Sequence, residues 1–79
     1  MGRTDVIEYR HLDHEVLIDA HKHGPASKWC IDQFGARWEA IGNRSGRWCL
    51  FWAGRDAPKK YRFCFADEQD MVWFILKWL

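Results

Sequence analysis

Four histidines, His11, His14, His21 and His23, precede Cys30, and the spacings His11-x₂-His14 and His21-x-His23 are short enough for a transition metal to use. Structural zinc sites usually draw tight Cys or Cys/His pairs from both halves of a domain, whereas Cys30, Cys49 and Cys64 each stand alone. If the flanking segments form a hairpin, His21 and His23 share a face while His11 and His14 lie in the turn, so the expectation is surface histidines and no metal. A cysteine nucleophile needs a His base in a cleft, and no local signature supplies one. Cys30 falls on an apolar helical stripe, and Cys49 and Cys64 fall on strands, where a free thiol behaves as a small hydrophobe. Asp67, Glu68 and Asp70 are more economically read as helix-start residues than as an acid/base pair. The run Gly42-x₃-Gly46 lacks the Lys-Ser/Thr of a phosphate loop. These residues predict no catalytic group and no cofactor, hence no enzyme.

The stronger chemical signal is basic and aromatic. Arg44 and Arg47 flank one turn region, while Arg55, Lys59 and Lys60 flank the next, which sets two cation clusters at opposite ends of a sheet with Trp48 and Trp52 between them. Arg and Trp dominate binding hot spots because they join large contact area to low entropy loss or bidentate hydrogen bonding. On a sheet the same residue types can stack and clamp a single-stranded nucleic acid. The competing reading buries the tryptophans and leaves the cations solvated. The candidate partner-binding set is therefore Arg44, Arg47, Trp48, Trp52, Arg55, Lys59 and Lys60.

Composition limits what these residues can be doing. The chain has 79 residues, with 12 Lys+Arg against 11 Asp+Glu for a formal charge of +1, which excludes a wholesale basic nucleic-acid binder and an acidic mimic alike. The charge is uneven: residues 1–23 and 67–79 each carry −2, and residues 24–66 carry +5. One domain is expected, with a folded surface of roughly 5,000 Å². In so small a domain hydrophobic burial and conformational entropy nearly cancel. Six Trp, five Phe and two Tyr then matter, either as core or as a face for a partner or a second copy. The odd cysteine count and the polar start predict a reducing, cytoplasmic setting. The apolar stretch from Met71 to Leu79 contains Lys77 and is far short of the ~20 residues that span a bilayer, so no membrane association is expected.

The elements that must position these groups follow from spacing. Residues 6–10 and 15–21 read as two strands of a hairpin, with a helix over residues 13–21 as the competing assignment. Gly24-Pro25 marks a break, and Ala26, Trp29, Cys30 and Phe34 fall at helical spacing up to Gly35, which is placed to end the helix. Residues 36–65 read as a three-stranded meander over 36–41, 47–53 and 60–65, the middle strand apolar on both faces. Tyr61, Phe63 and Phe65 point toward a covering helix, and Arg62 and Cys64 point away with either Trp48/Trp52 or Cys49/Phe51. Asp67 caps a helix over residues 68–74, and residues 75–79 either continue it or form an edge strand. The predicted fold is a single α+β domain with an antiparallel sheet of four to six strands and two short helices.

The pattern Tyr61-x-Phe63-x-Phe65-x-Asp67-Glu68-x-Asp70-x₃-Phe74-x-Leu76-Lys77-Trp78 resembles the ends of short bacteriophage-encoded proteins, in which an aromatic strand leads into a short helix and a final strand. Small cofactor-free proteins of phages and mobile elements are often inhibitors of host machinery, anti-CRISPR proteins among them. The resemblance implies a non-enzymatic module that occludes the surface of a host protein or ribonucleoprotein complex, and it carries over no functional residue. Direct single-stranded nucleic-acid binding by the basic and aromatic face is the alternative.

Overall fold

The computed structural model describes residues 11–79. Its elements are β1 (His14–Asp19), α1 (His23–Phe34), β2 (Trp48–Trp52), β3 (Lys60–Phe65) and α2 (Glu68–Trp78), with short 3₁₀ turns over Ala20–Lys22 and Gly54–Asp56. The strands form an antiparallel sheet in the order β1-β3-β2. The expected α+β class is present, with three strands among the described residues rather than four to six. The strand expected over residues 6–10 lies outside the described residues.

Register explains the layering. Trp48, Leu50 and Trp52 stand opposite Phe65, Phe63 and Tyr61, and Val16 and Ile18 stand opposite Phe63 and Tyr61, so all project to one face. There Val16, Ile18, Trp48, Phe63 and Phe65 close on Ala26 and Cys30 of α1 and Phe74 of α2 to form the main core. The Phe74 ring stacks on Phe63 at 4.7 Å between centroids. A smaller cluster of Leu12, Trp38, Cys49 and Cys64 covers one end of the opposite face. Register thus settles the open alternative: the tryptophans share the helix side, and Cys49 and Phe51 face away with Arg62 and Cys64.

Two strand expectations need correction. Residues 36–41 do not extend; Glu39 and Asn43 exchange backbone N–H···O bonds of 2.8 and 3.3 Å across a tight turn. The Asn43 amide also donates to the Ala36 and Arg37 carbonyls at 3.1 and 2.8 Å, occupying acceptors that a strand would give to its neighbour. Gly46 lets this turn close on the sheet, since a Cβ there would collide with the Trp38 backbone. β2, expected to be central from its two apolar faces, is an edge strand of the sheet formed by the described residues. Only its first residues are covered, Trp48 by the helices and Cys49 by Trp38, while Phe51 and Trp52 are exposed.

The helices follow the sequence more closely. α1 begins at His23, before the expected Ala26, with Pro25 in its first turn where a missing N–H costs nothing. It ends at Gly35, whose φ of 91° is a region that disfavours L side chains. α2 continues to Trp78, so residues 75–78 are helix. Asp67 occupies the N-cap position but its side chain makes no cap bond, and Asp70 is buried rather than set toward solvent at the helix start.

Candidate binding surfaces

The seven sequence-predicted site residues separate into core, paired and exposed groups. Trp48 is a correction: it is 1% exposed, stacks on Phe63 at 6.0 Å, and donates from Nε1 to the Gly35 carbonyl at 2.8 Å. Its place opposite Phe65 on the helix side is the reason. Arg47 donates to Asp70 Oδ1 at 2.9 Å, and its guanidinium lies 5.4 Å from the Phe34 ring centroid. Lys60 donates to Asp19 Oδ1 at 2.7 Å. That hydrogen bond, reinforced by the charge of Lys60, holds the exposed Asp19 carboxyl below its ordinary value. Arg44 is exposed and donates from Nε to the Ala40 carbonyl at 2.9 Å.

The remaining three meet at one end of the sheet. Trp52 is 58% exposed and held by an Nε1 bond to the Pro58 carbonyl at 3.2 Å. Arg55 and Lys59 are exposed on the same β2–β3 connection and make no ion pair with a described residue. Tyr61, the register partner of Trp52, stacks face to face on His23 at 4.2 Å. His23 is fixed in turn by donating from Nδ1 to the Ala20 carbonyl at 2.7 Å. Arg44 and Arg47 precede the far end of β2, so the two cation clusters do lie apart along the sheet.

A larger surface was missed by the sequence reading. α2 turns Asp70 and Phe74 inward and packs Met71, Ile75 and Trp78 beside them. Its outward side then carries Val72, Trp73, Leu76 and Leu79, which are 39, 57, 77 and 71% exposed. Between the two helices a groove of about 340 Å³ is lined by Trp29, Gln33, Trp73, Leu76 and Lys77. The signal was present in the spacing: once the helix is carried through residue 78, the apolar residues left over from the inner stripe form a second, outer one.

The outer sheet face is mixed in character. Arg62 donates from Nε to Glu15 Oε1 at 3.2 Å, and a cavity of about 250 Å³ is lined by Glu15, Phe51, Arg62 and Cys64. All three cysteines are free and buried. Burial, helped by the charge of Asp70 at Cys30 and of Glu15 at Cys64, pushes both thiols up to about 12. Burial also raises Cys49. Each thiol is therefore protonated at neutral pH, the opposite of an activated nucleophile. His, Cys, Asp and Glu side chains do not gather in groups of three or more with metal-holding geometry among the described residues. No helix among them is long and apolar enough to cross a membrane. Comparison with protein-family models, with curated proteins and with solved structures finds no match to this chain.

Proposed function

We propose that the chain is a non-enzymatic protein-binding module that occludes the surface of another protein, with the outward side of α2 as its main contact. The observation that carries this reading is the stripe Val72, Trp73, Leu76 and Leu79, four large apolar residues left exposed on α2 and its C-cap. Taking ~200 Å² for a fully exposed side chain of this size, the stripe presents on the order of 500 Å². A standard interface buries about 800 Å² on each partner. The stripe alone falls short of that, so the contact extends to Trp29, Gln33 and Lys77 along the groove, and the proposed occupant is a different folded protein. The resemblance to small phage-encoded inhibitors supplies the partner class, a host protein or ribonucleoprotein complex.

The test compares Leu76→Asp with the double charge reversal Arg55→Glu/Lys59→Glu in affinity capture from bacterial lysate, with circular dichroism to establish folding. Leu76→Asp should abolish capture and the charge reversal should spare it; capture unaffected by Leu76→Asp sinks the proposal. Sedimentation of the free chain reads the second-copy outcome.

A second reading rests on Trp52, more than half exposed beside Arg55 and Lys59. An indole flanked by exposed cations is a stacking platform for single-stranded nucleic acid. Its mark is a salt slope of about 0.7 per neutralised phosphate. No shift of a single-stranded oligonucleotide at low salt removes it.

A further inference from the structure

Cys49 and Cys64 stand directly opposite each other on β2 and β3. The type of pair follows from its neighbours in the same register: Ala66 N donates to the Arg47 carbonyl at 3.0 Å and Ala53 N to the Lys60 carbonyl at 3.1 Å. Hydrogen-bonded and non-hydrogen-bonded pairs alternate, so Cys49 and Cys64 form a hydrogen-bonded pair, with Cα atoms about 5.5 Å apart. That separation sits inside the ~4.4–6.8 Å range of disulfides. Both side chains leave the sheet on its outer face and enter the same small cluster with Leu12 and Trp38. Cys64 in addition lines the cavity bounded by Glu15, Phe51 and Arg62. Cys30 shares none of this; it is wholly buried on the helix side.

We propose that Cys49 and Cys64 are a dithiol that closes reversibly to a cross-strand disulfide by exchange with a low-molecular-weight disulfide such as oxidised glutathione. In the first step the Cys64 thiolate attacks one sulfur of the oxidant, forming a mixed disulfide and releasing one glutathione thiolate. In the second, the Cys49 thiolate attacks Cys64 Sγ and releases the other. Two protein thiols lose two electrons in all, one disulfide is reduced to two glutathione thiols, and the two protons pass to the leaving thiolates.

Geometry also sets the character of the bond. Opposed Cβ atoms in a sheet lie about 4.5–5.5 Å apart, the longer end applying to hydrogen-bonded pairs. A disulfide wants about 3.8 Å. The two Cβ atoms must therefore close by roughly 1.5 Å, which the end position of β2 in the sheet leaves room for. A bond closed against such resistance is readily reduced, as labile disulfides are and structural ones are not. Because the thiols are buried and protonated, closure should be slow at neutral pH and accelerate as pH rises.

The test uses the full reduced chain incubated with oxidised glutathione at alkaline pH, with circular dichroism to confirm that it stays folded. The mixture is then quenched with acid, remaining thiols are alkylated in denaturant, and intact mass and non-reducing tryptic maps are read. The expected product is lighter than the reduced chain by two hydrogens and carries one alkylated cysteine, Cys30, out of three. Peptide 48–55 should be joined to peptide 63–77. In denaturant all three pairings should appear, which shows that the fold selects this one. Cys30→Ser should not alter closure, and Cys49→Ser should stop at a glutathione adduct on Cys64. Three alkylated cysteines from the folded chain, stable glutathione adducts without closure, or a bridge to Cys30 each overturn the proposal. The wild-type map decides even if a variant fails to fold.

Discussion

Replacing Arg47 by methionine should unfold much of the protein's stability margin, although Arg47 looks in sequence like a surface contact. The Asp70 side chain is 5% exposed, and its Oδ1 accepts from Arg47 at 2.9 Å while Oδ2 has no hydrogen-bond partner among the described residues. Removing the guanidinium leaves a buried carboxylate with no counter-charge, a change that typically costs about 3–5 kcal/mol. Arg47 itself is half exposed, so water relieves part of the loss and about 2–4 kcal/mol is expected. Methionine keeps an apolar stem near Phe34, which isolates the charge from the packing. A domain of this length has roughly 4–12 kcal/mol of total stability. At about 4–8 °C per kcal/mol the melting temperature should fall by roughly 10–25 °C. Urea unfolding followed by tryptophan fluorescence, on Arg47→Met, Asp70→Asn and the double variant, reads both the cost and the coupling. The double variant should be more stable than the two single losses added together, by about 1 kcal/mol or more. An Arg47→Met chain within about 0.5 kcal/mol of wild type, or strict additivity, would refute the reasoning.

Other expectations concern the remaining aromatic, glycine and charged positions. Trp48→Ala should cost about 3–5 kcal/mol by emptying the core, whereas Trp52→Ala should cost less than about 1 kcal/mol; equal effects in thermal unfolding would contradict the register. Gly46→Ala should destabilise by about 1–3 kcal/mol because its Cβ meets the Trp38 backbone, and a neutral result would mean that the 38–46 turn does not pack as described. Asp19 titrates below the ordinary carboxylate value through the Lys60 hydrogen bond and then its charge. A depressed folded value gives stability that is complete above the ordinary titration and is lost as pH falls through the folded one. Lys60→Met should move the Asp19 titration upward in an NMR pH series; an unchanged titration would show that the ion pair does not form in solution.

Reading the chain without its fold recovered most of what depends on local rules. The alternation Tyr61, Phe63, Phe65 produced a strand with one buried face, and the spacing Ala26, Trp29, Cys30, Phe34 closed by Gly35 produced a helix. Both succeed because side-chain periodicity is fixed by backbone geometry within a few residues. The strand expected over residues 36–41 failed for a similar local reason: Asn43 turns the chain back on itself and fills the carbonyls a strand would share. Legibility of the site was poorer. Arg47 and Lys60 were counted as contact cations, but their partners, Asp70 and Asp19, lie 23 and 41 residues away in sequence.

The amino-acid sequence by itself determined an α+β chain with near-neutral charge, an aromatic excess, a strand that needs a helical cover, and no local catalytic motif. Tertiary structure alone decided which aromatics are core. Trp48 and Trp52 share a strand face and lie only four residues apart, yet one is 1% and the other 58% exposed, because Trp48 joins the core under the helices whereas Trp52 lies outside that cluster. The same long-range pairing set Cys49 against Cys64 and turned Val72, Trp73, Leu76 and Leu79 outward. Those outcomes depend on which elements meet across the domain, and spacing along the chain does not encode that.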